Sequence, residues 1–171
     1  MPVRQADSVC ERCHEEIFRK YLATPMENAS GVALERALHE GLNHFPSGVK
    51  YKVFSKDGSL WLSYDRPGNS PLKGSHKLDY FLGSGHLGVT YLYSVNGYLL
   101  ESPVAYYANR NKYDMKPGLT TFRAMPPALP ITSGCLRCHM SGLQREDTGS
   151  RNHYQALPFL HSGITCERCH G

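Results

Sequence analysis

All six cysteines fall in one pattern, Cys-x-x-Cys-His, at Cys10-Glu11-Arg12-Cys13-His14, Cys135-Leu136-Arg137-Cys138-His139 and Cys166-Glu167-Arg168-Cys169-His170. Two thiols at this spacing can add across the vinyl groups on one edge of a porphyrin. The adjoining histidine then turns its imidazole onto the iron, which is the chemistry of c-type haem attachment. Proximal iron ligands are accordingly expected at His14, His139 and His170. One such box could arise by accident. Three boxes with no cysteine left over predict three covalent haems.

Other chemistries open to these residues explain less. Two Cys-x-x-Cys knuckles can close a tetrahedral zinc site, and Cys135/Cys138 with Cys166/Cys169 could do so. That pairing strands Cys10 and Cys13 and gives the three histidines no task. A disulfide framework also leaves the histidines unexplained. A thioredoxin-like redox pair needs a strand before it and a helix after it, and is not expected three times in one chain.

The residue on the far side of each iron decides between carrier and catalyst, since an occupied sixth position favours electron transfer and an open one admits small molecules. Beyond the three box histidines there remain His39, His44, His76, His86, His153 and His161. His161, five residues before Cys166, can reach a neighbouring haem but hardly its own. His44 is pinned by the turn Asn43-His44-Phe45-Pro46-Ser47-Gly48. His86 sits in Gly83-Ser84-Gly85-His86-Leu87-Gly88, where glycines allow a close backbone approach. His39 falls on a predicted helix and reads as solvated, and His76 and His153 lie in polar stretches. Met26, at a bend after the first box, is the thioether candidate, with core filling as its alternative role. Met140 directly follows His139 and is expected to pack beside that haem. The candidate distal ligands are therefore His44, His161, His86 and Met26. No Ser-His-Asp set, phosphate loop or paired acids is present.

The elements that must position these groups suggest an α+β chain: short helices at the haem boxes at both ends and a small antiparallel sheet between. Glu15 to Leu22 reads as a helix stopped by Pro25, and Gly31 to Leu42 as a second, with Ser30 as N-cap. From Val49 the texture becomes strand-like. Lys56-Asp57-Gly58 and Asn96-Gly97 are hairpin turns, and Lys77 to Leu82 and Val104 to Ala108 add strands, giving about five or six in one sheet. The tyrosines Tyr91, Tyr93, Tyr98, Tyr106 and Tyr107, with Trp61, read as sheet packing. The last third, with Pro126, Pro127, Pro130 and Pro158, is expected to be loop with short box helices. The chain divides into a first haem segment (1–45), a sheet insert (46–110) and a segment for haems 2 and 3 (111–171), all within one trihaem domain (1–171).

A chain of 171 residues with 40% hydrophobic content fits one domain, and a mean hydropathy of −0.44 is modest for its core. Haems would supply the missing apolar bulk. The net charge of +4 is offset by haem propionates, and no Lys/Arg run or basic helix occurs, so nucleic-acid binding is excluded. No run of about 18 apolar residues is present to span a membrane, and Met1 to Val9 holds no apolar core of a signal peptide. Covalent haem attachment takes place on the outer side of the energy-conserving membrane. The protein is therefore expected in the periplasm, or outside the cell at the outer membrane, as a piece of a longer polypeptide.

Together with the boxes, the strings Thr24-Pro25-Met26-Glu27-Asn28-Ala29-Ser30-Gly31, Ser47-Gly48-Val49-Lys50-Tyr51, Gly83-Ser84-Gly85…Gly88-Val89-Thr90-Tyr91-Leu92, Glu101-Ser102-Pro103-Val104-Ala105-Tyr106-Tyr107 and Gly163-Ile164-Thr165-Cys166 resemble exported bacterial multihaem c-type cytochromes, a module often fused to tetratricopeptide repeats. The resemblance runs along nearly the whole chain. It implies electron transfer to and from redox partner proteins, and C-terminal repeats in the full chain. The Gly-Pro-Gly and further histidine usual after the last box are absent. The rival reading is a haem enzyme or gas sensor with one five-coordinate iron, such as a reductase of small nitrogen oxides. The Cys-x-x-Cys-Lys box that marks the active haem of ammonia-forming nitrite reductases is missing, so the balance favours a carrier. A zinc-stapled interaction domain is the third reading.

Overall fold

The computed structural model describes residues 8–38, 41–124, 128–147, 149–155 and 157–171. His39, Pro126 and Pro127 lie outside the described residues. The fold is α+β, with short helices and antiparallel sheets.

Two tight hairpins form where the turn residues demand them. Strands β3 (Val49–Lys56) and β4 (Ser59–Arg66) are joined at Asp57-Gly58, with φ of 49° and 67°. Strands β7 (Gly88–Val95) and β8 (Tyr98–Tyr107) are joined at Asn96-Gly97, with φ of 49° and 82°. Positive φ at both central residues gives the turn the hand that matches strand twist.

The single central sheet expected from sequence is instead two. A four-stranded meander runs β2 (Gly41–His44), β3, β4, β5 (Leu72–Leu78) in chain order. A six-stranded sheet runs β1 (Ser30–Val32), β6 (Tyr80–Leu82), β7, β8, β10 (Leu129–Pro130), with β9 (Lys112–Met115) also paired to β8. Strands from outside residues 46–110 thus complete it. The chain changes sheet at Asp79, whose N–H donates to the Leu92 carbonyl and whose own carbonyl accepts from Ala33 N–H. A ribbon of β11 (Met140–Leu143) and β12 (Phe159–Ser162) adds strands to a stretch expected to be mostly loop.

The six-stranded sheet is buried on both faces. Val89, Tyr91 and Tyr93 join Val49, Tyr51, Val53, Leu60 and Leu62 of the meander in one core. Tyr80, Leu82, Leu92 and Leu99 face the other way, into a second core with Leu136, Met140 and Phe159. Period-two alternation along a strand produces this division. The second core seats the middle haem box on the sheet.

The helix expected over Gly31 to Leu42 does not form. Ser30 and Gly31 pair with β6 as strand β1, a single 3-10 turn covers Ala33–Arg36, and β2 begins at Gly41. Gly31 is pressed against Phe81, whose ring carbon would lie 2.4 Å from an added Cβ. Tertiary pairing here overrides local helix propensity. Conversely, the first helix, α1 (Ser8–Leu22), starts earlier than expected and includes the whole first box, with a kink at His14 (φ −127°, ψ 41°). Thr24 Oγ1 donates to the Tyr21 carbonyl at 2.7 Å and Pro25 follows, closing its end.

Candidate functional site

Along α1, Cys10, His14, Ile17, Phe18 and Tyr21 recur at helical spacing on one face. No residue of this helix is buried by protein. The face looks into a cleft of about 570 Å³ whose opposite wall is Ile164, Thr165, Cys166, Cys169 and His170, with Met26 also lining it. The first and third boxes, at opposite ends of the chain, therefore share one largely apolar cleft. Cys13 and Cys169 are exposed, Cys10 and Cys166 are half-buried, and no two of the described thiols are joined in a disulfide. Paired thiols, an imidazole from each side and an uncovered apolar stripe are the donor set that haem c needs, and the residues fit it.

The second box is built differently. Helix α2 (Ser133–Arg137) presses Leu136 to zero exposure against Met140, Tyr80 and Phe159, which leaves Cys135 and Cys138 facing out. The Tyr80 and Phe159 rings meet edge to face at 4.7 Å. His139 is half-buried, and its Nδ1 is buried without a partner among the described residues. His139 would hold a haem iron through one ring nitrogen, with the other carrying the proton.

Three side chains tie the boxes together. Buried Ser30 donates through Oγ to the His139 carbonyl at 2.8 Å and accepts from Gly163 N–H at 2.9 Å. Ser141 donates to the Gly163 carbonyl at 3.2 Å and accepts from Thr165 N–H at 3.0 Å. Tyr21 lies with its hydroxyl between the Glu27 carboxylate, at 2.7 Å, and the Ile164 carbonyl. The lead-in to box 3 is thereby clamped to box 2 and to α1. Gly163 takes φ of +69°, and a Cβ there would stand 2.2 Å from the Glu27 carbonyl oxygen. Helix α3 (Glu167–His170) follows directly. Sequence reading took Ser30 for a helix cap and passed over these roles of Tyr21, Glu27 and Ser141, because no local pattern marks their partners, 109 positions away for Ser30–His139 and 143 for Tyr21–Ile164.

The four distal candidates are scattered. Met26 lines the shared cleft. His161 stands on β12 opposite Ser141, in the ribbon that leaves box 2. His86 is exposed in the turn between β6 and β7. His44 is buried on β2, with Nδ1 2.6 Å from Ser47 Oγ and Nε2 3.0 Å from the Thr120 carbonyl. A carbonyl only accepts, so Nε2 carries the proton and Nδ1 takes the serine hydroxyl's, and both nitrogens are engaged. Of the remaining histidines, His76 stacks on Tyr93 at 4.5 Å, and burial pushes its imidazole below the usual range. His153 bridges Asp147 and the Asn96 carbonyl.

One buried cation escaped sequence reading altogether. Lys116, 8% exposed, pairs with Glu101. Burial pulls its ammonium down, to about 7.

Residues 107–171 match the family model for cytochrome c554 and c-prime, a stretch holding the second and third boxes. This match, over the C-terminal part of the chain, supports a bacterial multihaem c-type cytochrome module. The crystal structure of the outer cell wall cytochrome OcwA is similar in fold to the module, with a TM-score of 0.55 and 16% identity over 95% of this chain. The chain spans 30% of that structure's chain. No curated protein matches the module. Among the described residues no helix is long and apolar enough to cross a membrane.

Proposed function

We propose that this module carries three haems and passes electrons between redox proteins outside the cytoplasm. The observation that carries the proposal is the cleft shared by boxes 1 and 3, with box 2 joined to the same region through Ser30 and Ser141. Haem c, when bound, supplies one-electron chemistry at iron. The thiol pairs Cys10/Cys13, Cys135/Cys138 and Cys166/Cys169 would hold it, with His14, His139 and His170 as proximal ligands. Around a bound haem, the apolar stripe of α1 and the Ile164 wall would exclude water, lower the local dielectric and raise the weight of each nearby charge. Met26 is the distal candidate best supported by position in that cleft, and His161 is next by its place beside box 2. Partner proteins, export and further domains of a longer chain complete the proposal. The fold likeness to an outer cell wall cytochrome is in keeping with export.

The test is maturation in an exporting host followed by intact mass and pyridine haemochrome analysis. Three haems per chain are expected, with one lost for each box whose cysteines become alanine. A colourless protein that binds zinc through two boxes would overturn the proposal. A carbon monoxide difference spectrum of the reduced protein then separates carrier from catalyst. Unshifted bands support a carrier, and a shift confined to one haem in the full-length chain supports the rival reading of an enzyme or sensor with one open iron.

A further inference from the structure

A second cleft, of about 600 Å³, lies behind boxes 2 and 3 and is lined by Ser133, Arg137, Gln144, Arg145, Glu146 and Arg168 among others. Its polar lining sets it apart from the largely apolar cleft shared by boxes 1 and 3. On α2, Ser133 and Arg137 are four residues apart and share a face, whereas Cys135 lies about 200° around the helix from Ser133. Arg168 lines this cleft, while its neighbours Cys166 and Cys169 line the apolar one. Box 3 thus turns its thiols to one cleft and its middle arginine to the other, and in box 2 Cys135 and Arg137 lie on different sides of α2.

Three guanidiniums meet one carboxylate here, leaving the lining with two positive charges. None of the three arginines has an ion-pair partner among the described residues. Glu146 is partly occupied, accepting from the Tyr154 hydroxyl at 3.3 Å. The Gln144 side-chain N–H donates to the Gly142 carbonyl at 2.9 Å. Guanidinium forks match carboxylate and phosphate oxygens bidentately, and a concave site of like charges concentrates counter-ions. The volume lies in the range of small-molecule sites.

We infer that this cleft binds a small free anion of charge two or more, a di- or tricarboxylate or a phosphate, against Arg137, Arg145 and Arg168. The bound charge stands beside boxes 2 and 3. In the haem-loaded protein it stabilises the more positive, oxidised state of those haems, and by linkage the anion binds the oxidised protein more tightly than the reduced. This last consequence rests on the proposed haem loading, which mass and haemochrome report separately.

The test titrates the oxidised holoprotein with citrate, and separately with inorganic phosphate, at low ionic strength by calorimetry. One saturable site is expected, weakened at least tenfold in Arg137→Gln/Arg168→Gln and tightened several-fold in Glu146→Gln. The gain in the last variant cannot come from misfolding. No saturable binding, or binding indifferent to these substitutions, would overturn the inference. So would absent binding together with altered haem potentials in the arginine variant without added anion, since that result assigns the cleft to a haem propionate. Weaker binding to the dithionite-reduced protein supports the redox linkage, and equal binding refutes it.

Discussion

Ser30 Oγ donates a 2.8 Å hydrogen bond to the carbonyl of His139, the proximal residue of the second box, across 109 positions of sequence. The same oxygen accepts from Gly163 N–H at the approach to the third box. Ser30→Ala therefore leaves a carbonyl and an amide without this partner in a buried setting. Loss of about 1–3 kcal/mol is expected, read as a lowered denaturation midpoint of the holoprotein. A midpoint within error of wild type would show that the two boxes do not depend on this serine.

Gly163 is a sharper test of the same junction. Its φ of +69° already disfavours a side chain, and the Cβ of alanine would stand 2.2 Å from the Glu27 carbonyl oxygen. That oxygen is main chain and cannot swing aside. Gly163→Ala should displace the lead-in to box 3, loosening Tyr21 from Ile164, and lower the yield of chains with the full haem complement. Normal yield and unchanged haem spectra would refute the clamp.

The boxes and both tight hairpins were legible in the sequence because their signals are local: cysteine spacing in one case, positive-φ residues in the other. The split of the sheet at Asp79 was not, since Leu78 and Tyr80 look like one continuing strand until the partner strands are known. The helix expected after Ser30 failed for the same reason, as pairing with Leu82 and Phe81 decides that segment. The closeness of boxes 1 and 3 was likewise invisible, because the whole sheet region separates them along the chain. His44 drew attention as a ligand by its turn, but Ser47 and Thr120 hold its ring, and only three-dimensional placement reveals the carbonyl of Thr120.

Met26 is half exposed on the rim of the shared cleft, where no packing role demands a thioether. As a distal ligand it should give the oxidised protein a near-infrared methionine-to-iron charge-transfer band. Met26→Ala should abolish that band and let one additional haem bind carbon monoxide. The same substitution would cost little stability at so exposed a position. A spectrum identical in the variant would leave His161 as the leading distal candidate.

His76 predicts a pH effect of definite sign. Burial lowers its pKa below the ordinary 6.5, so the unfolded chain binds the proton more readily than the folded one. The stability contributed by the neutral ring is complete above about 6.5, and it is lost as pH falls from there through the lowered folded value. His76→Phe keeps a ring against Tyr93 and removes the titration. The difference in thermal midpoint between variant and wild type should widen in the variant's favour on acidification below 6.5, as followed by scanning calorimetry. A pH-independent difference would place the acid sensitivity elsewhere.

The last prediction concerns α1, which has no residue buried by protein and only exposed ion pairs, Glu15–Arg19 at 2.5 Å and Glu16–Lys20 at 2.7 Å, on its surface. Such pairs contribute about 0.3–0.5 kcal/mol each, and an isolated helix of this length is marginal in water. The hydrogen bonds of Tyr21, Thr24 and Asn28 tie down its C-terminal end, and the box and its apolar stripe depend on whatever covers Ile17 and Phe18. If that is haem, Cys10→Ala/Cys13→Ala should strip amide-exchange protection from residues 10–20. The strands around Tyr91 and Leu62, fully enclosed by protein, should stay protected. Retained protection in α1 would mean that the helix is covered by protein, not by its cofactor. Global loss would mean that the two sheets cannot fold ahead of haem attachment, contrary to the protein-enclosed core between them.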